Sequence, residues 1–153
     1  MPPPIRSLLP KLEVFNFLEE ADYQIVEKYM FPYEYDEGSY VFKEGGHGGY
    51  MFFIAEGEVE VIKQFDNKKH TIATLGQGRS VGEMSLIDGS PRSATVRAAK
   101  DLSLIVLKKD DFKKLNEENP EVANKVLMGI STLLSASLRD TNKRFTERLL
   151  SIC

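Results

Sequence analysis

The residues best suited to chemistry lie between Ser80 and Ala98, in the run SVGEMSLIDGSPRSATVRA. Gly82 lets a backbone approach a ligand closely or adopt φ > 0. A helical turn opening there points free backbone N–H groups outward, and such groups bind anions. Arg92 brings a planar fork of donors that matches two phosphate oxygens at once. The N–H groups near Ser85 and Ser93 can complete that shell. Glu83, next to the glycine, is an acceptor suited to a sugar hydroxyl. One segment therefore offers an anion cradle and a sugar clamp. Plainer readings stand beside these. A surface arginine commonly pairs with an acid, here Asp88 or Glu83, and a glutamate at a helix start favours the dipole unaided.

An anion would have to be captured locally, because the net charge is −3 and no global field attracts nucleic acid or acidic membrane. The chain has 153 residues, read as one domain over 1–153, with 42% hydrophobic and 28% charged residues. Its one cysteine is Cys153, so no disulfide framework or thiolate metal set is expected, and a reducing compartment suits it. The start, MPPPIRSLLP, lacks the apolar core of a signal peptide, and no apolar run approaches membrane-spanning length. A cytoplasmic protein without membrane contact is the expectation. His47 and His70 form no His-x-His pair, which disfavours a metal-dependent β-roll enzyme. The glycines between Glu44 and Gly49 precede no Gly-Lys-Ser/Thr and fit a hairpin turn.

The elements that must hold the segment follow from periodicity. Leu8–Leu18 is apolar but broken by Pro10, giving short helical turns. Glu19–Met30 carries Tyr23, Val26 and Met30 on one helical stripe. From Phe31 to Leu107 the period becomes two. Turn signals separate runs at Ser39–Phe42, Tyr50–Ala55, Glu58–Ile62, Thr71–Leu75, Thr95–Ala98 and Leu102–Leu107. A strand also ends near Ser80. Asp110–Glu118 is helical, and Pro120 opens a last helix that reaches about Leu150. That helix bears Leu127, Ile130, Leu134, Leu138, Phe145, Leu149 and Ile152 at spacings of three and four, interrupted by Thr141. Such a length continues onto a partner helix, so a parallel homodimer through Leu127, Leu134, Leu138 and Phe145 is expected. Arg139, Lys143, Arg144 and Arg148 read as a solvated face.

The run Gly82–Thr95 resembles the phosphate-binding cassette of the cyclic nucleotide-binding domain family. Gly82, Glu83, Ser85, Leu86, Pro91, Arg92, Ala94 and Thr95 all match, and Val81 replaces an aromatic or Ile. Glu44–Val61 and Leu75–Glu83 resemble the family's Gly-rich hairpin and the approach to its cassette, so the likeness runs from about Leu12 to Leu150. The resemblance implies an eight-stranded antiparallel β-roll, jelly-roll-like, over about 31–107, with N-terminal helices and C-terminal helices over about 109–150. It implies a regulatory module for signal transduction, not an enzyme, with cAMP as ligand and cGMP as the alternative. Gly82, Glu83, Met84, Ser85, Arg92, Ser93 and Ala94 would form the ligand site, Arg92 on the phosphate and Glu83 on the ribose 2′-hydroxyl. Ser93 leaves the base open: family members place Ala there for cAMP, Thr for cGMP, and Ser in the bacterial catabolite activators, which read cAMP. In those activators a polar pair on the dimerising helix reads adenine, and Thr141 and Asn142 stand at that place. Phe145 is read as packing. The activators carry a further helix-turn-helix, which the chain does not show before Cys153. A ligand-free scaffold and a cupin-type β-roll enzyme are the alternatives.

Overall fold

The computed structural model describes residues 5–152. The proline-rich start and Cys153 lie outside the described residues. Helix α1 (Ile5–Leu8) runs into single 3-10 turns at Leu9–Lys11 and Glu13–Phe15. These are the broken turns that Pro10 dictates. Helix α2 (Glu20–Val26) starts on a reciprocal cap in which the Glu19 N–H donates to Asp22 at 2.8 Å. It stops short of the expected Met30, because Met30 is already paired with Leu107 in the first strand.

The strands are β1 (Met30–Tyr35), β2 (Tyr40–Phe42), β3 (Tyr50–Glu56), β4 (Val59–Phe65), β5 (Lys68–Leu75), β6 (Ser80–Val81), β7 (Thr95–Ala98) and β8 (Leu102–Lys108). They form two four-stranded antiparallel sheets, ordered β1-β8-β3-β6 and β2-β7-β4-β5. This is the expected eight-stranded roll. β5 begins earlier than Thr71. Asp66 and Asn67 both sit at positive φ, 54° and 61°, so a two-residue turn sends the chain straight back and Phe65 faces Lys68.

Helix α3 (Glu83–Asp88) follows β6, and α4 (Lys109–Glu118) follows β8. The core has two parts. Phe52, Ile54, Val96, Leu104 and Val106 fill the space between the sheets. Met51, Phe53, Ile105 and Leu107 face the helices, meeting Phe15, Val26, Leu115, Val126 and Ile130. Tyr50–Ala55 is apolar throughout because β3 is covered on both faces.

Helix α5 (Pro120–Ile152) has 33 residues. Its first half buries Val122, Ala123, Val126, Gly129 and Ile130. Gly129 lies so close to the Glu13–Phe15 turn that an added Cβ would sit 1.7 Å from the Val14 carbonyl oxygen. From Ser135 to Ile152 every residue is exposed. Leu134 is partly spent on the chain's own core, and Leu127 is half-buried. Phe145, expected to pack, is 64% exposed, because this half of the helix extends beyond the packed core of the domain. The four basic residues Arg139, Lys143, Arg144 and Arg148 are exposed as expected, with Arg144 on Asp140 at 3.1 Å.

Candidate functional site

Gly82 ends β6 at φ 89° and caps α3, and Gly89 closes α3 at φ 70°. Both are left-handed conformations that glycine adopts without penalty. Ser85 is buried, and its hydroxyl donates to the Ser90 carbonyl at 3.0 Å, tying the two ends of the segment together. The chain then turns through Pro91 and delivers Arg92 beneath β6.

Arg92 is only 3% exposed. Its Nη2 donates to the Tyr50 carbonyl at 2.7 Å, and its Cζ stacks 4.1 Å from the Phe42 ring centre and 4.3 Å from that of Tyr50. Among the described residues, Nε and Nη1 have no partner. Neither Asp88 nor Glu83 pairs with it, so the plain surface-arginine reading fails. Burial pushes the guanidinium's pKa down, opposed by its contacts with Tyr50. The fit over Gly82 is close: a Cβ there would stand 2.5 Å from Arg92 Nη1 and 3.0 Å from the Tyr50 oxygen.

Glu83 is the second unsatisfied group. Its Oε2 is buried without a partner, and burial pushes its carboxyl pKa up, opposed by a bond from its own backbone N–H. Leaving buried polar atoms unpaired is costly, so such pairs mark places shaped for something else. A cavity of about 230 Å³ joins the two, lined by Gly82, Glu83, Met84, Ser85, Arg92, Ser93 and Ala94, with Phe42, Val61 and Val96 forming its apolar floor. Met84 is 59% exposed and stands at the mouth. The arrangement can neutralise one negative charge, accept a hydrogen bond from one hydroxyl and hold an apolar face.

The structure thus brings together seven of the nine expected site residues. Thr141 and Asn142 are not among them. Both are exposed on the outer half of α5, neither lines the cavity, and the Thr141 hydroxyl donates back to the Ser137 carbonyl at 2.9 Å. Sequence reading missed Phe42 and Tyr50, which hold Arg92 in place. Their alternation in β2 and β3 puts them on the inner face, but which cation they meet depends on the fold. It also took the Gly-rich turn for a plain hairpin. That turn grips the cassette: Gly45 N–H donates to the Arg92 carbonyl at 2.8 Å, and Arg92 N–H to the Gly46 carbonyl at 3.0 Å. Among the described residues no three His, Cys, Asp or Glu side chains converge as a metal set would require. No helix among them is long and apolar enough to cross a membrane.

Comparison with known proteins agrees with this geometry. The family model described as the cyclic nucleotide-binding domain matches residues 32–119. A cyclic nucleotide-gated potassium channel of Rhizobium etli is 36% identical over 120 residues, 78% of this chain and 32% of the channel. A cyclic AMP receptor protein of Thermus thermophilus is 29% identical over 130 residues, 84% of this chain and 58% of the receptor. The chain therefore spans well under two thirds of either relative. A crystal structure of a cyclic nucleotide-binding domain from Methylobacillus flagellatus superposes with a TM-score of 0.85 at 32% identity, covering 97% of this chain and 87% of that one.

Proposed function

The chain belongs to the cyclic nucleotide-binding domain family, and on that premise we propose that it is a regulatory sensor whose ligand is 3′,5′-cAMP, with cGMP as the second candidate. One observation carries the reading. A buried guanidinium with two free donors and a buried carboxylate with one free acceptor share a single cavity. A cyclic phosphodiester carries the single negative charge that Arg92 lacks. Nε and Nη1 of Arg92 take its phosphate oxygens, and the Glu83 carboxylate accepts the ribose 2′-hydroxyl. The base lies over the apolar floor, towards Met84 and Ser93 at the mouth.

Occupancy reaches α5 through shared packing. Leu86 of α3 belongs to the same buried cluster as Val126 and Ile130 of α5. A ligand that shifts the cassette therefore biases how α5 sits, by its difference in affinity for the two arrangements. The outer half of α5 is the surface that reports it. Leu134, Leu138 and Thr141 recur eleven residues later as Phe145, Leu149 and Ile152. An eleven-residue repeat favours a right-handed pairing of helices. A parallel homodimer seamed from Leu134 onward, with Thr141 at its centre, covers those exposed side chains and would bring Thr141 and Asn142 of each helix near a base. Calorimetric titration with cAMP and cGMP tests the ligand, and failure of both to bind leaves the ligand-free scaffold. Sedimentation with and without nucleotide tests the dimer, and a monomer at tens of micromolar in both states refutes it.

A further inference from the structure

We propose that Lys63 and Glu44 are a positioning pair that aims the cassette's backbone donors at the phosphate, an inference that rests on reading the cavity as a cyclic nucleotide site. Lys63 lies on β4 two residues after Val61, on the face that looks toward the cavity, but it does not line the cavity itself. Its Nζ donates to the Ser93 carbonyl at 2.5 Å and lies 3.6 Å from the Glu44 carboxylate. The other Glu44 oxygen accepts from Gln64 N–H at 3.2 Å, and Glu44 N–H donates to the Thr95 hydroxyl at 2.9 Å. Glu44 also begins the turn whose next residue, Gly45, holds the Arg92 carbonyl.

Two successive carbonyls, those of Arg92 and Ser93, are therefore held from outside. In a trans peptide the C=O and N–H point in opposite directions. Fixing the Arg92 carbonyl on Gly45 turns the Ser93 N–H away from the glycine turn. Fixing the Ser93 carbonyl on Lys63 turns the Ala94 N–H away from Lys63. These two N–H groups follow directly on Arg92, where a bound phosphate can take both. The turn packs closely on the cassette, since a Cβ on Gly48 would meet the Ser90 carbonyl at 2.4 Å and Ser85 at 2.7 Å. The Lys63 ammonium holds the Ser93 carbonyl, and Glu44 keeps that ammonium in place.

The test is calorimetry of cAMP and cGMP on the wild type and on Lys63→Met, Lys63→Arg and Glu44→Gln, together with amide NMR of Ser93 and Ala94. Lys63→Met should weaken both nucleotides by the same factor, roughly three- to tenfold, the net worth of one ordinary hydrogen bond to the phosphate. Glu44→Gln should show a smaller loss of the same kind, and Lys63→Arg should restore binding. On adding nucleotide, the Ala94 amide should move downfield in the wild type and in Lys63→Arg but not in Lys63→Met. Unchanged affinity in Lys63→Met overturns the proposal. So does an altered ratio of cAMP to cGMP affinity, which would make Lys63 a reader of the base. Wild-type protein that takes neither nucleotide strikes instead at the reading of the cavity. Both side chains are partly exposed, 45% and 34%, so these changes spare the core.

Discussion

Arg92→Met keeps most of the side chain's bulk and removes its charge and every donor. In the free protein Arg92 makes one hydrogen bond and two ring contacts, yet leaves two nitrogens, Nε and Nη1, buried and unpaired among the described residues. The bond to Tyr50 is worth about 1.5–3 kcal/mol, and each desolvated ring contact about 0.5–2 kcal/mol. Burying an incompletely paired cation costs several kcal/mol, and replacing such charges with apolar groups is often neutral or stabilising. The free variant should therefore be within about 1 kcal/mol of the wild type or above it. Binding behaves in the opposite way. Two charge-assisted bonds to phosphate at about 1.5–3 kcal/mol each make about 3–6 kcal/mol, a loss of roughly two to four orders of magnitude in affinity. Thermal unfolding reads both numbers in one experiment. Ligand at about a hundred times Kd adds about 2.7 kcal/mol to the wild type, which for a chain of this size is about 5–11 °C in Tm. Arg92→Met should melt near the wild type without ligand and gain nothing with it. A variant that keeps the ligand-induced shift refutes the phosphate role. A free variant destabilised by more than about 3 kcal/mol shows that Arg92 is there for the fold.

Four further outcomes are expected. Glu83→Gln should weaken cAMP and leave 2′-deoxy-cAMP nearly unchanged in a competition assay, and equal losses would assign Glu83 another role. The pKa of Glu83 is raised by burial, so the stability contributed by its neutral form is complete below the ordinary carboxylate range and is lost as pH rises through the raised value. Free Glu83→Gln should accordingly melt above the wild type at neutral pH, with the gap closing in acid. Gly129→Ala, which on an open helix would stabilise by about 1 kcal/mol, should instead cost about 1–3 kcal/mol in urea unfolding, because its Cβ meets the Val14 backbone. Phe145→Lys should weaken the proposed dimer in sedimentation with no loss of domain stability, since that side chain is 64% exposed; unchanged association would place the seam elsewhere.

The residues from Ser80 to Ala98 carry the proposed chemistry in the sequence itself. A glycine before a helical turn, a glutamate beside it and an arginine after a Gly-Ser-Pro turn fix local conformation and donor count over a short range. The strands between Phe31 and Leu107 were legible for the same reason, since alternation of apolar residues is written locally. Register, neighbours and unmet demands were not. That Tyr50, 42 residues away, supplies the carbonyl under Arg92 depends on β3 pairing with β6 in one sheet. That Lys63 rather than solvent holds the Ser93 carbonyl depends on β4 lying beside β7. The long helix shows the limit most clearly. Its stripe, broken at Thr141, reads as one apolar face, but the fold spends Ile130 and part of Leu134 on its own core and leaves Leu138, Phe145 and Ile152 exposed. Where a helix leaves its domain is set by the size of the body it packs against, and a periodic pattern carries no record of that size.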